Sequence, residues 1–143
     1  AVYADYTWKR GAVSVTPGAR YDYLGFSRES LVSPRLAVNW QASPGLRVWA
    51  GGGVYYQNPS FLSLGADPAN TRLGAERSTQ AAIGIQREFL RDWRVSVEAY
   101  HQALDRLVVT TDRTDGRAAN LGEGSNSGID IALTRRFGGA WWG

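Results

Sequence analysis

In the stretch DWRVSVEAYHQ, residues 92–102, Trp93, Val95, Val97 and Ala99 alternate with Arg94, Ser96, Glu98 and Tyr100. Period two marks an extended strand with one apolar and one polar face. In a soluble sandwich the apolar face meets a protein core and the polar face meets water. In a transmembrane barrel the apolar face meets lipid and the polar face meets a lumen. One strand does not choose between them.

The same alternation recurs along the chain and predicts about seven strands, with no sustained helical period anywhere. The first strand, near 1–9, offers Val2, Ala4, Tyr6 and Trp8 to one face, and the second, near 12–24, offers Val13, Val15, Ala19, Tyr21 and Tyr23. The third, near 34–42, offers Leu36, Val38 and Trp40, and the fourth, near 46–57, offers Leu46, Val48, Ala50, Val54 and Tyr56. The fifth, near 79–89, offers Ala81, Ile83, Ile85 and Phe89. Residues 92–102 are the sixth, and the seventh, near 127–137, offers Ile129, Ile131, Leu133 and Phe137. The opposite faces carry Arg20, Asp22, Arg35, Asn39, Arg47, Gln57, Gln80, Gln86, Glu98, Asp130 and Arg136. This is an all-β antiparallel meander.

Short connections at 10–11, 43–45, 90–92 and 138–139 alternate with long polar ones near 24–33, 58–78 and 110–126. Tight turns at one end and long loops at the other are the outer-membrane barrel pattern, with short turns periplasmic and long loops extracellular. Trp8, Trp40, Phe89, Trp93, Phe137 and the Trp141/Trp142 pair all lie within a few residues of a short turn. Aromatic rings gather in this way at a membrane–water boundary. Tyr21, Tyr23 and Tyr56 form a looser band at the other end. Aromatics also favour strands in general, but their clustering at one end favours the barrel. No apolar run reaches the roughly 18 residues of a membrane helix. The mean hydropathy of −0.32 is compatible with a barrel, in which only every second residue meets lipid.

Two features strain the pattern. Pro17 lacks a ladder donor, which suggests a bulge in the second strand. Gly51-Gly52-Gly53 points to a bend or to close approach of another backbone, such as something inside a lumen. The pattern is already under way at Ala1 and breaks off in GGAWWG, so we expect a piece of a longer protein.

Five stretches occur in order: TPGARYDY (16–23), VSPRLAVNWQASPGLRVWAGGGVYYQNPSF (32–61), LGAERSTQAAIGIQREF (73–89), DWRVSVEAYHQALDRLVV (92–109) and NLGEGSNSGIDIALTRRF (120–137). Together they resemble the C-terminal half of the β-barrel of TonB-dependent outer-membrane receptors. The resemblance implies a barrel of about 22 strands, of which residues 1–143 are one partial domain, roughly a third. It also implies a plug domain, the remaining strands and a TonB-contacting segment, all outside this stretch. The partners it implies are therefore the bilayer and its lipopolysaccharide, the plug, and the TonB complex. The implied activity is uptake of a scarce nutrient across the bacterial outer membrane.

Catalytic chemistry finds little support. Zero cysteines exclude thiol catalysis and zinc–thiolate sites. His101 is the one histidine, by parity on the apolar side, with no nucleophile motif or paired carboxylates beside it. Asp112, Asp115 and Asp130 are too dispersed for calcium. We expect no enzyme activity, cofactor or metal, and the mild net charge of +3 without a basic run points away from nucleic acid. Arg20, Asp22, Arg35, Arg47, Glu98 and Asp130 are expected to line the lumen, mostly as self-solvating cross-strand pairs. Tyr55, Gln57, Asn58 and Phe61, at the long-loop end, are the candidate substrate contacts. Their rings and amides suit siderophores, sugars or cobalamins alike. A self-contained barrel of about eight strands acting as anchor or adhesin, and an outer-membrane hydrolase, are the competing readings.

Overall fold

The computed structural model describes residues 1–89, 92–111 and 114–135. They form one antiparallel sheet of strands β1 (Val2–Asp5), β2 (Trp8–Arg10), β3 (Val13–Leu24), β4 (Glu29–Ser43), β5 (Leu46–Gln57), β6 (Glu76–Phe89), β7 (Trp93–Thr110) and β8 (Ala118–Arg135). Each strand from β3 onward is hydrogen-bonded to the next in chain order, while β1 and β2 both pair with β3. Among the described residues β8 does not pair back to β1, so the sheet is open.

Pro17 divides the first strand. Its carbonyl accepts from the Tyr6 N–H at 3.1 Å. In an antiparallel pair the donor and acceptor of one residue face the same neighbour, so the donor that proline lacks is missing from this ladder. Pairing stops at Asp5↔Gly18 and resumes in the same register at Trp8↔Val15. The bulge expected at Pro17 is absent, because β3–β4 pairing runs unbroken from Val13↔Trp40 to Leu24↔Glu29.

Register gathers the apolar sets on one face. One row across the sheet reads Val13, Trp40, Val48, Ile85, Val97, Ile131, and the next reads Val15, Val38, Ala50, Ile83, Ala99, Ile129. A slip of one residue would have turned a whole strand over. No second layer covers this face: Ile129 is 68% and Ile131 73% exposed. Among the described residues the buried apolar side chains are Leu24, Leu31, Leu73 and Ala75. A sandwich buries its apolar face against a second sheet. This sheet presents it outward.

On β7 that face stays apolar from Trp93 to Ala103, interrupted by His101, and turns charged at Asp105. The span is about 33 Å of strand at roughly 3.3 Å per residue. Tilted by about 40°, it matches the ~25 Å apolar band of a membrane barrel. Trp8, Trp40, Phe89 and Trp93 sit on the same face near the short turns, with Phe89 and Trp93 stacked at 6.4 Å between ring centroids. Phe137, Arg136, Trp141, Trp142 and the turn at 138–139 lie outside the described residues.

Two of the three long loops are shorter than expected. The stretch near 24–33 is a hairpin turn of residues 25–28, and that near 110–126 shrinks to 111–117, because β4, β7 and β8 all extend past the apolar band. There both faces are wet, alternation is no longer imposed, and Gly, Asn and Ser occupy strand positions that read as loop. The connection 58–75 remains long. It contains a short helix α1 (Phe61–Ala66) and a 3-10 turn (Pro68–Arg72), neither of them expected. Ser60 and Asp67 cap them, their side-chain oxygens accepting from the Ser63 and Ala69 amides at 3.0 and 2.7 Å.

Two asparagines tie this connection down. Asn70, 1% exposed, donates to the Ser63 and Gly116 carbonyls at 2.7 and 3.0 Å and accepts from the Ala118 amide at 2.9 Å. Asn120 accepts from the Gly74 amide at 2.8 Å and donates to the Gly74 and Arg106 carbonyls at 3.0 and 2.7 Å.

Two outcomes follow in the full-length protein. Val97→Arg or Ile131→Arg should impair membrane assembly, since an arginine on a lipid face near mid-bilayer costs about 2–4 kcal/mol, whereas Ser96→Arg and Ala132→Arg should be tolerated. Heat-modifiable gel mobility and membrane yield report it, and equal tolerance at both parities would refute the lipid-facing assignment. Asn70→Ala strands buried backbone groups at about 1–3 kcal/mol each. Limited proteolysis should then cut within 59–72 sooner, with the barrel still heat-modifiable; an unchanged cleavage rate would show that Asn70 does not hold the loop.

Candidate functional site

The glycine triplet sets the geometry of the mouth. A side chain at Gly52 would lie 2.6 Å from the Gln80 carbonyl oxygen, and one at Gly53 would lie 2.8 Å from that of Pro34. Within this chain the backbone that approaches is that of the flanking strands β6 and β4. Here the β4–β5 ladder ends, at Arg35↔Gly53. Beyond it β4 pairs with β3 alone and β5 with β6 alone. A seam opens between the β3–β4 hairpin and β5.

The seam holds a cavity of about 570 Å³. Tyr55, Gln57, Asn58 and Phe61, the candidate substrate contacts, all line it on the β5 side, and the facing wall includes Arg20 and Asp22. Phe61 is nevertheless 93% exposed, so its ring stands at the rim. Tyr56, expected on the outward band, instead packs against Leu24, Leu31 and Ala75 at the closed end of the seam. The loss of its β4 neighbour frees the ring to turn into the gap.

The lumen-facing charges divide into pairs. Arg20 grips Asp22 through two hydrogen bonds of 2.7 and 2.9 Å, and Arg35 meets Asp5 at 2.8 Å. Such solvent-exposed pairs orient side chains more than they stabilise the sheet. Glu98 accepts from the Trp49 indole N–H at 2.8 Å, and the Arg47 guanidinium lies 5.1 Å over the same ring. Asp130 stands directly across from Glu98 in the register, a like-charge neighbour that the indole donor offsets.

Trp49 was not anticipated. It occupies a polar-face position on β5, and its indole crosses the surface of Gly84, where any side chain would collide with the ring. Tyr100 covers Gly128 in the same way. The signal was present: a glycine on the neighbouring strand in register with an aromatic of the wrong parity. These rings, with Arg35, Asn39 and Glu98, line a second concavity of about 610 Å³ on the polar face.

Across the mouth seam the principal tie is Glu29, also missed, because its surroundings read as loop. Its carboxylate accepts from the Arg106 guanidinium, from the Ala75 amide at 2.9 Å and from the Ser27 hydroxyl at 3.5 Å. Partial burial acts to raise the Glu29 pKa, but the Arg106 hydrogen bond, the Ala75 amide, the Arg106 charge and Ser27 together hold it below the ordinary glutamate value. Arg28, beside it, and Arg106, its partner, are the two non-glycine residues with positive φ (55° and 59°) among those described. Each such residue costs roughly 1–2 kcal/mol in backbone strain.

His101 lies on the apolar face, its Nδ1 2.7 Å from the Ser127 Oγ on β8. Among the described residues no carboxylate is hydrogen-bonded to the ring. The pair reads as two polar groups satisfying each other on the apolar face.

The family model for the β-barrel of TonB-dependent receptor-like proteins matches residues 1–143. No curated protein matches the chain in sequence. Among solved structures, the siderophore receptor PirA from Pseudomonas aeruginosa superposes with a TM-score of 0.80 at 19% identity, over 92% of this chain and 27% of that one. The FrpB iron transporter from Neisseria meningitidis (F5-1 variant, apoprotein form) gives 0.76 at 16% identity, over 96% and 23%. The outer membrane transporter YddB from Escherichia coli gives 0.76 at 17%, over 93% and 21%. The chain thus spans about a quarter of the length of these structures, and at such identities the likeness establishes the fold. The barrel model runs from the first residue to the last, and the chain belongs to the TonB-dependent receptor β-barrel family.

Proposed function

We propose that residues 1–143 are part of the wall of an outer-membrane transporter that takes up a scarce nutrient with energy from the TonB complex. The observation that carries this reading is the single-layer sheet whose exposed face is apolar in two full rows from Val13 and Val15 across to Ile131 and Ile129, in a chain of this family. The rest of the protein supplies the plug and the remaining strands. Those strands complete the open edges at β1/β2 and β8, whose unpaired backbone groups are costly in lipid.

The apolar face meets lipid and the lipopolysaccharide leaflet, and the polar face meets the lumen and the plug. Connection 58–75 and turn 111–117 face outward, while turns 11–12 and 44–45 face the periplasm. The mouth cavity is the substrate contact, with Tyr55, Gln57, Asn58 and Phe61 on one wall and the Arg20–Asp22 pair on the other. Its amides, rings and paired charges suit a siderophore, a sugar or a cobalamin. The family is one of receptors, and on that ground the role is transport rather than catalysis.

Cysteine labelling tests the orientation. Asn70 is too buried to report, so Leu62, 86% exposed on α1, is the outward site. Leu62→Cys should react with an impermeant maleimide on intact cells, and Pro44→Cys only after the outer membrane is breached. The reverse pattern would invert the topology. Tyr55→Ala combined with Gln57→Ala should lower the affinity of uptake about tenfold or more, the loss of about 1.4 kcal/mol or more of contact, with normal barrel assembly. Unchanged uptake would remove this cavity from the transport path.

A further inference from the structure

We propose that the mouth cavity takes an uncharged, polyhydroxylated ligand, of the class of neutral oligosaccharides, rather than an anionic metal chelate. The inference rests on the reading of this cavity as the substrate contact and adds to it the chemistry of the substrate.

The charges of the wall decide the class. Arg20 donates through Nε and Nη2 to the two oxygens of Asp22 at 2.7 and 2.9 Å, and Arg35 donates to Asp5 at 2.8 Å. Arg20, Asp22 and Arg35 all line the cavity. An anion that approaches Arg20 therefore meets the Asp22 carboxylate at the same contact, and like charges so juxtaposed select against it. A hydroxyl meets no such penalty, because one group is donor and acceptor at once. It gives its proton to Asp22 and accepts from an Arg20 N–H not spent on the carboxylate. Neighbouring hydroxyls of a sugar do the same against Gln57 and Asn58, whose amides each offer a donor and an acceptor.

The rings supply the second kind of surface. Phe26 from the hairpin turn, Tyr55 from β5 and Phe61 from α1 stand around the cavity, all three exposed. The face of an aromatic ring is negative, so the C–H face of a sugar lies flat on it and gains dispersion over the whole area. Rings alone suit an aromatic chelator equally, and it is the paired charges that separate the two. Arg35 and Tyr55 also border the concavity on the polar face, where the rings of Trp49 and Tyr100 and the amides of Asn39, Gln80 and Gln102 repeat the combination. Glu98 there already accepts from the Trp49 indole. A ligand built of repeated units meets the same kind of surface twice.

The test uses the purified full-length receptor, with heat-modifiable mobility confirming the barrel of each variant. The probes are an array of neutral and uronic-acid oligosaccharides, ferric enterobactin, ferric citrate and cyanocobalamin. A neutral oligosaccharide should bind, with an affinity that changes less than about twofold between roughly 50 and 500 mM salt, since no net charge is there to screen. Tyr55→Ala and Phe61→Ala should each weaken it about fivefold. Asp22→Asn gives the sign. It frees the Arg20 guanidinium and removes a charged acceptor, so a sugar should bind about tenfold more weakly, whereas an anion would bind more tightly. An array on which no neutral oligosaccharide binds would overturn the proposal, as would tighter ligand binding after Asp22→Asn. If ferric enterobactin, ferric citrate or cyanocobalamin binds instead and Tyr55→Ala weakens it, the cavity is still the substrate contact and the neutral-sugar class alone falls. If a neutral sugar binds and all three variants leave its affinity unchanged, the cavity is not its site, and both readings fail together.

Discussion

The main-chain ladder is the constraint on which this structure depends. Where a sheet lies in lipid no water satisfies a stray N–H or C=O, so the strands must pair continuously through the apolar band. From β3 to β8 every neighbouring pair keeps one register through the band, with irregularities near Gln41/Ser43 and above Leu104, and β4–β5 pairing ending at Arg35↔Gly53, at the outer margin. The donor lost at Pro17 costs a break in the first strand without a change of register. Side-chain chemistry is free to vary only where the ladder is already secure.

The polar face shows how the wall is packed once the ladder is fixed. Gly84 and Gly128 leave flat patches, and Trp49 and Tyr100 lie across them from the adjacent strands. A ring laid over a neighbour's glycine shields that backbone and buries apolar area that a curved single sheet otherwise lacks. The indole N–H then reaches Glu98 on the strand beyond, so one side chain links β5, β6 and β7. The glycines of the triplet do something different. They admit the carbonyls of β4 and β6 at close range, at the level where β4 and β5 part.

What could be read from the sequence, and what could not, follows from where alternation is enforced. Within the apolar band each outward position must be apolar, and every outward set there, from Val13 and Val15 to Ile129 and Ile131, took its place as read. Beyond it both faces are wet. The strand that begins at Glu29 and the one that begins at Ala118 were therefore mistaken for loop, and Glu29 and Asn120 were overlooked with them. Tyr55, Gln57, Asn58 and Phe61 were legible as a group because they are adjacent in sequence at a strand end. Their meeting with Arg20 and Asp22 was not, since it depends on the seam, which opens where the β4–β5 ladder reaches Pro34, a residue with no N–H to donate. Asn70 was beyond reach for a related reason: its partners Ser63, Gly116 and Ala118 are brought together only by the fold.

The charges at the mouth complete the physical picture. The arginines that line the cavity are both already paired, Arg20 with Asp22 and Arg35 with Asp5. This wall therefore carries oriented dipoles and hydrogen-bonding groups rather than a strong net field. A long-range field would raise the encounter rate of a charged ligand and would be screened within about 8 Å at physiological salt. Paired charges act at contact, where direction matters more than sign. On the function proposed above, recognition by this part of the barrel depends on how closely its two walls approach the ligand, and that distance is set by the seam. The same interruption of the ladder that would be costly inside the bilayer is tolerated above it, where water satisfies the parted strands, and there it makes room for a site.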